Sequence, residues 1–229
     1  MQTIPLPELS IVFIPAAFLI AIMYQWELKP WVGLYANARM LLQLLLVGYF
    51  LKYVFETTQP MVIIALIIVM IAVASWIAVR PFEEHKPFLI AIISIGAPGL
   101  IQLGLVTQLV LDLPRWFEPN MVIPIAGMIF ANSMNTVSLA AERFESEFKR
   151  EKDPKSARRT ALEAALIPQI NSLFAVGLVA LPGMMTGQIL SGVDPIVAVR
   201  YQIMVMWMIF GSAGIAAAIN LLLRVKTLN

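Results

Sequence analysis

The sequence has no cysteine and a single histidine among its 229 residues. That removes disulfides, thiolate nucleophiles, zinc-thiolate sites and iron–sulfur ligation together, and leaves the redox compartment undetermined. Charge is also scarce: 13% of the residues are Asp, Glu, Lys or Arg, with 16 basic against 14 acidic. A formal charge of +2 describes a few basic groups and no nucleic-acid-binding face. Neither G-x-x-x-x-G-K-[ST] nor G-x-G-x-x-G occurs, so the chain does not cradle ATP phosphates or a dinucleotide in the usual way. Met1 to Glu8 contains no Lys or Arg, unlike the basic opening of a cleaved signal peptide, so the first apolar run is expected to stay in the mature protein.

What the chain has in excess is apolar surface: 60% of its residues are hydrophobic and the mean hydropathy is +0.83. Roughly 20 apolar residues cross one bilayer as a helix, so the expected fold is an all-α polytopic transmembrane bundle of about seven spans, forming one domain over 1–229. Unbroken apolar runs exclude a β-barrel, whose strands alternate apolar and polar. The spans read as about Leu9–Tyr24, Met40–Phe55, Met61–Val79, Phe88–Leu111, one from Met121, one from an N-cap near Ser156 to Leu181-Pro182-Gly183, and one from Asp194-Pro195 to about Leu223. Trp26 and Trp31 suit a membrane interface, and Arg39 and Lys52 can snorkel. Gly96-Ala97-Pro98-Gly99 is expected to kink or interrupt the fourth span. No internal repeat points to an inverted-repeat transporter.

With the N-terminus outside and the C-terminus cytoplasmic, 13 of the 16 Lys and Arg fall on the inner side, leaving Lys52, Arg115 and Arg200 outside. The segment 142–163, with seven basic and six acidic residues, then becomes the one large cytoplasmic feature, a solvated helical hairpin joined directly to the sixth span.

Few side chains can carry chemistry. Asn132, Asn135 and Thr136 are spaced by three and four, hence share one helix face, and 1.5 Å of rise per residue from Met121 puts Asn132 near the bilayer midplane. Such a strip either glues helices together or lines a substrate path, and one face can do both. Gln169 and Asn171, with Ser172, repeat the pattern after Pro168. The uncharged stretch 182–193 is too apolar for a free loop and is expected to dip into the outer leaflet or pack on the bundle. Its Met184 and Met185 fit gap-filling better than ligation of a soft metal ion. His85, beside Glu83 and Glu84, lies in a solvated charge run where one imidazole is seldom a metal site.

Longer motifs carry a resemblance. Ala38–Tyr49 (ARMLLQLLLVGY), Leu51–Phe55 (LKYVF), Ile123–Ile129 (IPIAGMI) with Asn132 and Met134, Ala164–Ser172 (AALIPQINS), Val176–Gly192 (VGLVALPGMMTGQILSG), Asp194-Pro195 and Arg200–Ile203 (RYQI) resemble the FetB family of ABC transporter permeases. The resemblance covers most of the chain. It implies a permease that pairs with a separately encoded ABC ATPase holding ATP and magnesium, this chain itself having no cofactor. Bacterial members are described as iron exporters, and plant relatives are linked to aluminium tolerance and nucleotide-sugar transport. Many members carry E-x-x-L-x-L-G-A before the sixth span; Arg143 to Arg159 has no such element, so docking of the ATPase would use other residues, with Arg143, Arg158, Arg159 and Glu163 as candidates.

The resulting expectation is a homodimeric permease in the bacterial inner membrane, surrounded by lipid and exporting an iron-type metal ion or a small solute. The alternative class is a secondary transporter or channel that works without ATP. An intramembrane enzyme ranks lowest, since paired buried carboxylates, a histidine cluster and an activated serine are all missing. Orientation is directly testable because native cysteine is absent: a Ser156→Cys variant should resist an impermeant thiol reagent added outside intact cells and react only after permeabilisation. Labelling from outside would invert the topology.

Overall fold

The computed structural model describes residues 5–57, 59–80 and 87–227; His85 and its neighbours Glu83 and Glu84 lie outside them. The described chain is helical apart from turns and one isolated bridge between Val176 and Ala180. Six of its helices are long and apolar enough to cross a membrane. It divides into two compact units, Met1–Thr57 and Thr58–Asn229.

The first unit contains α1 (Leu6–Ile11), α2 (Phe13–Gln25) and α3 (Pro30–Phe55). Glu27, in the left-handed region at φ 57°, and the Leu28 N–H bonded to Met23 O at 2.9 Å turn the chain back, so that α2 packs on α3. Gly33 sits where a methyl would stand 2.8 Å from Ile20 Cδ1, which explains a glycine at that contact. The helix expected to begin at Met40 begins instead at Pro30, whose fixed φ and missing N–H suit the first helical position.

The second unit contains α4 (Pro60–Ala78), α5 (Phe88–Gly104), a π-helical turn at Leu105–Val110, α6 (Pro119–Glu151), α7 (Pro154–Ala175), α8 (Gly183–Leu190) and α9 (Pro195–Thr227). Helix α6 is central, packing against α4, α5, α7 and α9. Its buried stripe Val122, Ile125, Ala126, Ile129, Phe130, Ser133, Thr136 and Val137 recurs at three- and four-residue spacing. Where α6, α7 and α9 meet, Ala157, Ala161 and Ala165 lie fully buried with Ala140, Phe144, Ala217 and Leu221. Small residues let the three helix backbones approach closely, and Phe144, Ala157 and Ala161 carry this contact into the 142–163 hairpin.

Several local expectations are corrected. Helix α7 is capped by Asp153 and not Ser156: the Asp153 carboxylate accepts from the Lys155 and Ser156 amides at 3.0 and 3.2 Å, with Pro154 in the first turn. The same helix stops at Ala175, short of Leu181, because Val176 is extended and Gly177 adopts φ 82°; the Gly177 N–H then bonds Ala180 O at 3.0 Å. The 182–193 stretch does pack on the bundle, against α9, but as a helix, α8, where turns were expected. Helix α5 runs unbroken through Pro98, and the irregularity falls later, in the π-helical turn. Asp194 does cap α9, accepting from the Ile196 amide at 2.8 Å.

Gly99 lets α5 approach α6: a methyl at that position would stand 2.5 Å from Phe130 Cε1 and 3.3 Å from Ile129 Cγ2. Overpacking of this kind usually costs about 1–3 kcal/mol. Gly99→Ala should therefore lower the thermal midpoint of the detergent-solubilised protein, whereas Gly104→Ala, with open space around it, should leave it unchanged. Equal midpoints for both variants would mean that the Phe130 ring yields freely.

Candidate functional site

Three polar side chains expected to share a strip are joined. On α6 the Asn132 amide donates to Met128 O at 2.8 Å and the Thr136 hydroxyl donates to Asn132 O at 2.9 Å. Each folds back on a carbonyl four residues earlier, the local way for a polar side chain to be satisfied inside a helix. From α7, Gln169 Nε2 donates to Thr136 Oγ1 at 3.2 Å and reaches Asn132 Oδ1 at 3.5 Å, the outer limit of a hydrogen bond. One amide thus spans from α7 to two residues of α6. Thr136 is buried, and Asn132 and Gln169 are half-buried.

Asn135 and Asn171 are not drawn into this contact; both are exposed. An exposed amide on a membrane-spanning helix has to meet water, a solute or another polar chain, since hydrocarbon supplies no partner. Met184 and Met185 lie half-buried on α8. Met185 lines a separate cavity of about 350 Å³ with Leu173, Gln202, Met206 and Trp207, a lining that contains no member of the Asn132 cluster. Among the described residues no three His, Asp or Glu side chains gather as metal ligands would.

The 142–163 segment comprises the end of α6, a left-handed turn at Lys152 (φ 54°) and the start of α7. Phe144 and Phe148 stack at 5.8 Å. Glu147 is buried and held by Arg143 at 2.7 Å and Arg150 at 2.6 Å. Arg143 is therefore engaged within α6, whereas Arg159 and Glu163 are exposed and Arg158 is half-buried.

A further polar chain was not anticipated from the sequence. Arg224 on α9 is buried, donating from NH1 to Glu145 Oε1 of α6 at 2.9 Å and from Nε to Asn220 Oδ1 at 3.0 Å. Asn220, fully buried, donates to Ser94 Oγ of α5 at 3.1 Å. The one available signal was an Asn and an Arg four residues apart near the end of an apolar span.

Comparison with known proteins settles the lineage. The family model described as "Uncharacterised protein family (UPF0014)" matches residues 7–228. The chain belongs to the UPF0014 family. Similar relatives include "Probable iron export permease protein FetB" of Escherichia coli K12, 36% identical over 81% of this chain and 77% of the relative. "UPF0014 membrane protein slr1647" of Synechocystis is also 36% identical, over 81% and 79%. "Protein ALUMINUM SENSITIVE 3" of Arabidopsis thaliana is 31% identical over 80% and 72%. No solved structure gives a significant match. This UPF0014 member is an all-α integral membrane protein, consistent with about seven spans if α7 is counted with the six long apolar helices.

The Gln169 bridge makes a stability prediction for the family fold. Interhelical hydrogen bonds in membranes average about 0.6 kcal/mol, so Gln169→Leu should lower the thermal midpoint slightly. Asn135→Leu and Asn171→Leu, at exposed positions, should not. A larger loss for Asn135→Leu than for Gln169→Leu would assign the packing role to the wrong amide.

Proposed function

We propose that this UPF0014 member is the permease half of an ABC transporter, working as two copies with two separate ATPase subunits and exporting an iron-type metal ion or small solute. The name of the FetB relative supports the cargo and direction. The proposed setting is the bacterial inner membrane, with the N-terminus outside and the C-terminus and 142–163 hairpin in the cytoplasm.

One observation carries the reading: the polar contact and the projecting hairpin belong to the same two helices. Helix α6 has 33 residues, about 50 Å at 1.5 Å per residue, against a hydrocarbon core of about 30 Å. Roughly 20 Å of it extends past the core, and α7 returns from that end to place Gln169 against Thr136 and Asn132. A force on the hairpin therefore acts on the helices that hold the polar strip. In this mechanism, closure of the ATPases brings the two hairpins together, tilts α6 and α7, and switches the side to which a path between the copies opens. Asn135 and Asn171 would face that path, with Asn132, Thr136 and Gln169 behind them. Arg158, Arg159 and Glu163 would meet the ATPase, with Arg143 contributing through its bond to Glu147. Met184 and Met185 would line the path's outer end.

Reconstitution with the candidate ATPase tests this reading. ATP-driven flux is expected, with ferrous iron as the first solute tried. Asn132→Leu combined with Asn135→Leu should leave insertion intact and reduce flux. Exposed single charges contribute about 1 kcal/mol or less, so reversal of Arg158 and Arg159 together, and of neither alone, should uncouple the complex. Flux from this chain alone, driven by an ion gradient and indifferent to ATP, would replace the ABC reading with a secondary transporter.

A further inference from the structure

We propose that Glu145, Arg224, Asn220 and Ser94 form a linkage in series that carries displacement of the hairpin into α5, making Arg224 and Asn220 positioning residues of the transport cycle. The linkage rests on the ATP-driven reading of the hairpin. Its geometry is continuous: Glu145 Oε1 to Arg224 NH1 is 2.9 Å, Arg224 Nε to Asn220 Oδ1 3.0 Å, and Asn220 Nδ2 to Ser94 Oγ 3.1 Å. Ser94 Oγ in turn donates to Ala91 O at 3.2 Å. Helix α9 is thereby tied by polar bonds to both α5 and α6, with Ser94, Asn220 and Arg224 buried and Glu145 part-exposed at the hairpin end.

Burial decides how such a chain behaves. Ser94 and Asn220 are 0% exposed and Arg224 8%. Around Ser94, Asn220 and Arg224 water cannot replace a broken bond, so each partner lost there leaves a buried polar group uncompensated; Glu145, its side chain 39% exposed, is the solvent-side end. A well-packed apolar layer would be about as stable as a buried ion pair; what the polar chain adds is a fixed geometry between Glu145 at the hairpin base and the interior of α5. Contacts at Ala217 and Leu221, both fully buried about two turns and one turn before Arg224, keep α9 rigid along the chain.

The chain ends where α5 is easiest to bend. Pro98 has no N–H, so the Ser94 carbonyl lacks its helical donor four residues on. Gly96 and Gly99 flank the proline, with α4 and α6 close: built methyls would stand 3.3 Å from Ile71 Cγ2 and 2.5 Å from Phe130 Cε1. A pull on Ser94 Oγ therefore acts on the turn of α5 that has one ladder bond fewer, and the segment from Leu100 to the π-helical turn swings relative to the segment before Ser94. Glu145 drives, Arg224 and Asn220 transmit, and the Ser94–Pro98 turn yields.

Symmetric spin labels on introduced cysteines test this in the assembled permease–ATPase complex, by electron–electron distance measurements with and without trapped ATP, so no cargo need be known. A label at Ser156→Cys reports hairpin separation between the copies; a label at Leu100→Cys, an exposed site, reports α5 beyond Pro98. In the otherwise unaltered protein both distances should change with ATP. In Ser94→Ala and Glu145→Ala, each of which removes one partner of the chain outright, the Ser156 change should persist and the Leu100 change should fall by more than half. A linkage in series also predicts non-additivity, so Ser94→Ala with Glu145→Ala should behave like either alone. An undiminished Leu100 change in these variants, or effects that add in the double variant, overturns the linkage and leaves the ABC reading standing. Absence of any ATP-dependent Ser156 change in the unaltered complex overturns the ABC reading and the linkage with it.

Discussion

Hydrocarbon offers no hydrogen bonds, and this constraint shapes how the chain pairs most of the polar side chains it buries. The helical backbone satisfies itself. Short side chains turn back on their own helix: Thr107 to Leu103 O at 2.8 Å, Asn132 to Met128 O at 2.8 Å, Thr136 to Asn132 O at 2.9 Å. A few side chains reach a neighbouring helix instead. Gln169 joins α7 to α6, Asn220 joins α9 to α5, and Arg224 joins α9 to α6. With apolar contacts nearly interchangeable between lipid and protein, these directional bonds and the close approaches at Gly99 and the alanine stripe of α7 specify which helix lies beside which.

Two helices outgrow the bilayer together. Helices α6 and α9 each have 33 residues, and the Glu145–Arg224 bond pins them near the end where α6 continues into the hairpin. The hairpin is consequently braced by α9 as well as by its own turn. Its internal charges serve the same purpose: buried Glu147 with two arginines around it stiffens α6 beyond the point where lipid supports it.

The long helices were legible from apolar run length, whereas the eight-residue α8 was not, and Asp194-Pro195 announced the start of α9 because cap and proline are adjacent and local. The start of α7 was misplaced by three residues: Asp153 and Ser156 are both good caps, and the choice depends on Pro154 following the aspartate. Its end was misplaced because Gly177 lies inside an apolar run that looks helical, and only the turn geometry shows the chain reversing. In the candidate site, spacing correctly put Asn132 and Thr136 beside each other, yet Asn135, one residue from Thr136, turns to the exposed side. Three-residue spacing places a side chain within about 60° of its neighbour, which is too coarse to separate an inward from an outward amide. The Ser94–Asn220–Arg224 chain was illegible because its members are 126 residues apart at the widest bond, and no local pattern announces a tertiary pair.

The charged opening of α7 has a consequence for how the protein is made. Lys155, Arg158, Arg159 and Glu163 occupy the first three turns of a 22-residue helix, so α7 has too short an apolar stretch to partition into lipid as an independent segment during synthesis. What favours its entry is a waiting surface: α6, synthesised just before it, places Thr136 against Gln169 and Ala140 in one cluster with Ala165. The newest helix is thus integrated by its predecessor, and substitutions on α6 should be felt first in the ribosome-bound protein, before any finished bundle exists to be destabilised.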